Sequence, residues 1–307
     1  MKRDFVSFTD LSREEVLSII DYAKKLKKDK FADRTLEGKS IGLIFMKQST
    51  RTRLSFEVGV YQMGGQPIYI SGSTTQLSRG EDIKDTARVM SRYLDGIVIR
   101  TFSHQEVEEL AKYSSIPVIN ALTDYQHPCQ VLADLMTIDE EFGSLENKKV
   151  AYVGDGNNMA NTLLLACALM GMDMSVATPP NYEPNGKAVY ESLEIAKKSG
   201  SKITITNDPK EAVLEADVIY TDVWVSMGQE NEKGKKDVFK PFTVNKDLVL
   251  LAKPDAIVMH CLPAHKGEEI TEDVFEQYSD VIFNQAENRL HVQKSLMSFL
   301  FKKNIGG

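Results

Sequence analysis

Ser40-Ile41-Gly42-Leu43-Ile44-Phe45-Met46-Lys47-Gln48-Ser49-Thr50-Arg51-Thr52-Arg53-Leu54-Ser55-Phe56-Glu57-Val58 runs from a β-rich apolar segment through a polar turn into the start of a helix. The apolar run reads as a strand buried on both faces, the kind found in parallel sheets. At the turn, the hydroxyls of Ser49, Thr50 and Thr52 meet the guanidinium groups of Arg51 and Arg53. A helix N-terminus has unpaired N–H groups and needs one cap, so this surplus of donors has the chemistry of a phosphate cradle. The plainer reading leaves Ser49 or Thr50 as a cap and both arginines in solvent. The spacing GxxxxGK[ST] is absent, so the turn is not a P-loop.

The strand-and-helix rhythm extends outward from this stretch. Upstream, Ser12 and Glu15 have capping-box spacing, and Val16, Ile19, Ile20, Ala23 and Leu26 recur at helical intervals. Strands are predicted at 40–46, 66–71, 95–101 and 116–122, with gaps long enough for crossover helices. A second series is predicted at 148–154, 173–178, 202–206, 217–223, 255–261 and 281–284. The polar segment 139–149 is the expected boundary. The fold class is therefore α/β, as two doubly wound parallel-sheet domains spanning 1–138 and 148–286. Residues 287–307, with helical spacing at Leu290, Met297 and Leu300, form a C-terminal helix packing back on the first domain.

Composition narrows the function classes. Among 307 residues, 42% hydrophobic and 26% charged content suits a chain with a sizeable core rather than a disordered one. Lys plus Arg total 37 against 44 Asp plus Glu, a net charge of −7, which argues against a nucleic-acid partner. The N-terminus has no apolar leader core and the most apolar stretch, 163–170, is far short of a bilayer span, so a cytoplasmic protein with no membrane partner is expected. Cys129, Cys167 and Cys261 are odd in number and lack CxxC spacing, which predicts reduced thiols and no zinc site.

In open parallel sheets ligands bind beyond the carboxyl ends of the strands. Arg100 ends one predicted strand, though a lone strand-end arginine is more often an ion pair. Asp124-Tyr125-Gln126-His127-Pro128-Cys129-Gln130 follows the next, with Pro128 suited to a first helical turn and His127 near the N-cap. A histidine there is disfavoured as a cation and can act as a neutral hydrogen-bonding electrophile, or simply cap. Lys149-Val150-Ala151-Tyr152-Val153-Gly154-Asp155-Gly156-Asn157-Asn158-Met159 looks like a dinucleotide fingerprint. Met159 replaces the third glycine, however, and the following strand ends without an acidic residue, so a nicotinamide oxidoreductase is disfavoured. Asn157 and Asn158 offer amides suited to an amino acid's head. Asp222 can bind a cationic amine or cap a turn, and Ser226-Met227-Gly228 follows it as a small-residue loop. Cys261 sits at another strand end, where a solitary cysteine is usually a buried hydrophobe. Strand alternation points the adjacent His260 to the opposite face, which argues against a Cys–His dyad.

Together these residues resemble the aspartate/ornithine carbamoyltransferase family over essentially the whole chain. The resemblance rests on Ser49-Thr50-Arg51-Thr52-Arg53, His127-Pro128-Cys129-Gln130, Asp222 with Ser226-Met227-Gly228, His260-Cys261-Leu262-Pro263 and Glu287-Asn288-Arg289. The first two mark the carbamoyl phosphate half; the Asp222 and His260 motifs look like the ornithine branch. The resemblance implies a transferase of arginine biosynthesis that moves the carbamoyl group of carbamoyl phosphate to the δ-amine of L-ornithine, giving L-citrulline and phosphate without metal or organic cofactor. By position it implies that Ser49, Thr50, Arg51 and Thr52 hold the phosphate and that Thr52, Arg100 and His127 contact the carbamoyl oxygen. Pro128, Cys129, Gln130, Cys261, Leu262 and Arg289 complete that half. Gln76 would reach in from a neighbouring subunit, implying a homotrimer or a multiple of one. Asn158, Asp222, Ser226 and Met227 would bind ornithine, with Asp222 and Cys261 orienting the amine. The family pattern varies after Ala264, and His265, His104 and His291 are expected at the surface, while Lys47 and Arg53 steady the loop. An exposed Cys261 thiol would also take soft metals adventitiously. Other acceptors, such as putrescine or N-acetylornithine, and a non-catalytic small-molecule binding protein are the alternatives.

Overall fold

The computed structural model describes residues 2–72, 81–225 and 234–302. The chain divides into two compact units, Met1–Met136 with Glu287–Gly307, and Thr137–Ala286.

The first unit opens with α1 (Arg13–Lys28). Its capping box forms: Ser12 Oγ accepts the Glu15 N–H at 3.2 Å and the Glu15 carboxylate accepts the Ser12 N–H at 3.0 Å. Then follow β1 (Ser40–Phe45), α2 (Arg51–Gln62), β2 (Gln66–Ser71), α3 (Ile83–Tyr93), β3 (Gly96–Arg100), α4 (His104–Tyr113), β4 (Val118–Leu122) and α5 (Pro128–Phe142). The four strands are parallel in the order β2-β1-β3-β4. β3 and β4 are buried along their whole length, as expected of strands covered on both faces, whereas β2 is a largely exposed edge.

The second unit contains β5 (Lys149–Val153), α6 (Asn158–Met170), β6 (Asp173–Ala177), α7 (Gly186–Ser199), β7 (Ile203–Thr206), α8 (Pro209–Val213), β8 (Val218–Thr221), α9 (Lys235–Phe239), α10 (Lys246–Val249), β9 (Ile257–His260) and α11 (Glu272–Gln277). Its five parallel strands run β7-β6-β5-β8-β9, so the order reverses at β5, between the turns that carry Asn157 and Asp222. Ligand sites of doubly wound sheets form at such a reversal. α6 is apolar nearly all round and correspondingly buried.

α12 (Ser279–Phe301) continues from the second unit into the first. It corrects the strand predicted at 281–284. Ile282 is buried in the second unit's core while Phe283 is 57% exposed, and burial recurs at Gln285, Asn288 and Arg289, a period of about 3.6 rather than 2. A four-residue apolar run carries too little pattern to separate the two periods. The remainder of α12 packs on the first unit: Lys27 Nζ donates to Asn288 Oδ1 at 2.8 Å and Ser295 Oγ to the Ile19 carbonyl at 2.7 Å.

Candidate active site

In the first unit the polar turn enters α2 with Thr50 already helical (φ −79°, ψ −55°) and making no side-chain cap. Ser49 supplies the cap instead, its Oγ accepting the Thr52 N–H at 3.3 Å. Arg51 is exposed, whereas Arg53 donates to Glu57 at 2.9 Å and lies 3.7 Å from the Tyr69 ring centroid, which ties it to the outside of the turn. Lys47 contacts Asp124 and lies over the Phe102 ring, bridging the β1 turn to the loop before His127.

Behind that turn the structure gathers four buried groups. Thr52 is 1% exposed, and Arg289 Nη2 from α12 donates to its Oγ1. Arg100 closes β3, and His127 precedes α5 on a turn fixed by Thr123, whose N–H donates to the Gln126 carbonyl at 2.8 Å. His127 is held neutral, its pKa pushed well below the usual imidazole range by burial first and then by the Arg289 and Arg100 guanidiniums. The neutrality expected from the helix N-terminus thus has a different main cause.

Pro128 is buried at the first position of α5. Gln130 Nε2 donates to buried Asp134 at 2.9 Å, which fixes the amide so that Oε1 is a buried acceptor without a protein hydrogen bond. Cys129 turns toward the core: its thiol donates to the Asn120 carbonyl at 3.4 Å and burial pushes its pKa up to about 12. Gln76 lies outside the described residues.

The second unit assembles a cluster of opposite character. Asp222 follows β8, with Oδ2 accepting from Asn157 Nδ2 at 2.8 Å and Oδ1 accepting from the Val223 N–H at 2.8 Å and the Cys261 thiol at 3.0 Å. Asn157 caps α6 through Oδ1 while its Nδ2 holds Asp222, so the amide fixes the carboxylate to the start of the helix. Asn158 is half-buried at the first position of α6, its carbonyl accepting from Thr162 Oγ1 at 2.6 Å. Ser226 and Met227 lie outside the described residues.

His260 needs a correction. The chain turns immediately after β9, with Leu262 at φ +62°, so atoms of Asp222, His260 and Cys261 able to bind a metal lie within 4.8 Å of one another despite the expected alternation. The imidazole is already committed: Nδ1 accepts the Leu262 N–H at 2.9 Å and Nε2 faces buried Glu269 at 3.1 Å. Glu269 and Gln285 give no signal in the sequence because their roles depend on long-range placement. Gln285 bridges the His260 N–H and the Tyr220 hydroxyl, each at 3.0 Å.

The Gly154-Asp155-Gly156 turn has its own explanation. A Cβ on Gly156 would lie 2.3 Å from the backbone of Glu183 and Pro184, so the glycine admits the protein's own chain. Asp155 pairs with buried Lys235 at 3.0 Å. Of the histidines expected at the surface, His265 is exposed, His104 is half-buried with Nδ1 3.1 Å from Thr123 Oγ1, and His291 is fully buried on the inner side of α12.

Comparison with known proteins finds two family domains in this chain. Residues 3–140 match the family model described as aspartate/ornithine carbamoyltransferase, carbamoyl-P binding domain, and 146–300 match its Asp/Orn binding domain. The chain is 54% identical over 300 residues to an ornithine carbamoyltransferase of Bacillus thuringiensis subsp. konkukian, covering 98% of this chain and 95% of the relative. It is 52% identical to one from Aquifex aeolicus, covering 99% of both. Among solved structures, ornithine carbamoyltransferase from Pyrococcus furiosus is similar at a TM-score of 0.93 and 50% identity, covering 97% of this chain and 96% of that one. The anabolic enzyme from Campylobacter jejuni subsp. jejuni matches at 0.93 and 43%, covering 98% and 99%. With both family domains matched in order and relatives more than half identical over nearly the whole chain, the chain belongs to the aspartate/ornithine carbamoyltransferase family.

Proposed function

We propose that this chain transfers the carbamoyl group of carbamoyl phosphate to the δ-amine of L-ornithine, giving L-citrulline and phosphate as a step of arginine biosynthesis. The observation that carries this reading is the pairing of one cluster rich in buried cationic donors with a second built on an oriented carboxylate and thiol. Arg51, Ser49, Thr50 and the N–H groups opening α2 take the phosphate. Arg100, His127 and Thr52 donate to the carbamoyl oxygen. Thr52 Oγ1 accepts from Arg289, which leaves its hydroxyl proton to be given to the carbamoyl oxygen. Gln130 Oε1 accepts from the carbamoyl NH2, a contact that an acetyl group could not make. His127 remains a neutral electrophile at physiological pH.

In the second unit Asn158, Ser226 and Met227 hold the amino acid head, while Asp222 and Cys261 orient the δ-amine. The unprotonated amine attacks the carbamoyl carbon, charge grows on the oxygen, and the bond to the phosphate oxygen breaks. The amine proton leaves with the phosphate. Each preorganised donor to that oxyanion contributes on the order of 3 kcal/mol.

A homotrimer, or a multiple of one, is the working assembly, with Gln76 entering a neighbouring copy's site. Supporting it, Leu54, Val58 and Tyr61 lie at i, i+4 and i+7 on the exposed side of α2, beside exposed Ile68 on the edge strand. The three free thiols suit a reducing, cytoplasmic setting.

The test measures ureido-product and phosphate formation from carbamoyl phosphate with ornithine, putrescine, N-acetylornithine and aspartate in parallel, with Arg51→Ala as control. Citrulline formed with ornithine alone, and lost in the control, supports the reading. Turnover with a different acceptor overturns the second-unit assignment; no turnover with any acceptor points to a binding protein.

A further inference from the structure

Lys294 is a fully buried cation of α12 that none of the chemistry above uses. Its Nζ donates to the Leu26 carbonyl at 3.3 Å, the Lys30 carbonyl at 3.1 Å and Gln62 Oε1 at 2.8 Å. The first two acceptors lie at and just beyond the C-terminal end of α1, and the third is the last residue of α2. Its stem runs across α2 at Gly59, where an added Cβ would come within 3.3 Å of Lys294 Cγ and 3.5 Å of Met297 Cε. Five residues earlier on the same helix, Arg289 holds Thr52 in the first turn of α2. α12 therefore grips α2 at its beginning, middle and end.

The geometry points to Lys294 as a positioning residue for phosphate capture: its ammonium fixes the far end of α2 and so sets where the helix presents Ser49, Arg51 and Thr52. This rests on reading the N-terminus of α2 as the phosphate site. Three acceptors converge on Nζ, and an ammonium has three protons to give. A neutral amine has two, and its lone pair would face one of the acceptors. The charged groups around Nζ are Asp29, Lys30 and Asp33 beyond α1 and, when protonated, His291 on α12, while α2 offers the neutral Gln62. Burial first, and then Lys30, push the Lys294 pKa down to about 8, with Asp33 and Asp29 opposing. The grip therefore weakens within an ordinary working range of pH. Stability linked to this group moves the other way. Between about 8 and 10.5 the unfolded chain holds the proton that the folded one has lost, so folding gains stability as pH rises. Weaker binding across that window thus cannot be explained by loss of stability through this group.

The experiment titrates phosphonoacetamide, a non-hydrolysable carbamoyl phosphate analogue, into the full chain without ornithine from about pH 7 to about pH 9.5. Wild type, Lys294→Met and Gln62→Glu are compared, with urea unfolding measured in parallel. The wild-type Kd is expected to rise about fivefold through pH 8. Lys294→Met, which keeps the stem but not the ammonium, is expected to bind weakly already at neutral pH and to show no step. Gln62→Glu places a carboxylate on the ammonium and is expected to move the step up by about one pH unit. Wild type and Lys294→Met binding alike across the range, or a step unmoved in Gln62→Glu, overturns the inference. If Lys294→Met does not fold, the Gln62→Glu comparison decides alone. Unchanged binding of the analogue in Arg51→Ala would instead mark failure of the phosphate-site reading itself.

Discussion

The two units carry clusters built on opposite electrostatic plans. In the first, Arg100 and Arg289 are almost fully buried around an imidazole that they help keep uncharged. In the second, a single carboxylate is held by an amide, a backbone N–H and a thiol. The first concentrates buried positive charge, whereas the second centres on a carboxylate whose oxygens accept from neighbouring donors. Cations concentrated in one place compensate for a chain whose net charge is −7.

The largest test of this contrast is Arg51→Ala. It is expected to lower kcat/KM for carbamoyl phosphate about a thousandfold, about 4 kcal/mol, while leaving ornithine recognition intact. Asp222→Asn is the mirror experiment: about a hundredfold loss in kcat/KM for ornithine, with phosphonoacetamide affinity unchanged. Either variant impairing both ligands equally would break the division.

The contrast also extends to pH. Because His127 titrates well below 6.5 when folded, the unfolded chain takes up a proton first as the medium acidifies. Stability is therefore complete above about pH 6.5 and falls below it, at up to about 1.4 kcal/mol per pH unit for this group. His291, lowered chiefly by burial, adds to the same trend in the same unit. Urea unfolding from about pH 7.5 to about pH 5.5 should show His127→Asn with the shallower loss, and an unchanged slope would refute the assignment. The smallest effect is expected from Asn157→Ala. It removes the α6 cap, worth about 1 kcal/mol of stability, and the Asp222 donor, and should raise KM for ornithine while sparing KM for carbamoyl phosphate.

Much of this was legible in the sequence where the signal is local. Residues 49–53 and 127–130 are contiguous, and strand ends mark their place, so the polar turns that open α2 and α5 are legible without a structure. Residues joined only by folding were not. Glu269 behind His260, and the Asn157 amide turned to Asp222, depend on meetings across the sheet that no periodicity encodes. Burial of His291 and Lys294 is not legible in the sequence because polar residues on an amphipathic tail are ordinarily solvated, whereas here α12 is enclosed on nearly every side from 291 to 298. The strand misplaced at 281–284 failed for the opposite reason: a local apolar signal overrode the longer helical repeat.

The course of α12 also fixes an order of events during synthesis. Contacts such as Arg289 to Thr52 and Ser298 to Asp33 join residues 237 and 265 positions apart, so the first unit, begun first by the ribosome, is completed last. The intervening unit is continuous in sequence and has all its strands before that helix is made. A nascent chain can thus possess its Asp222 cluster while the arginine that donates to Thr52 is still inside the exit tunnel.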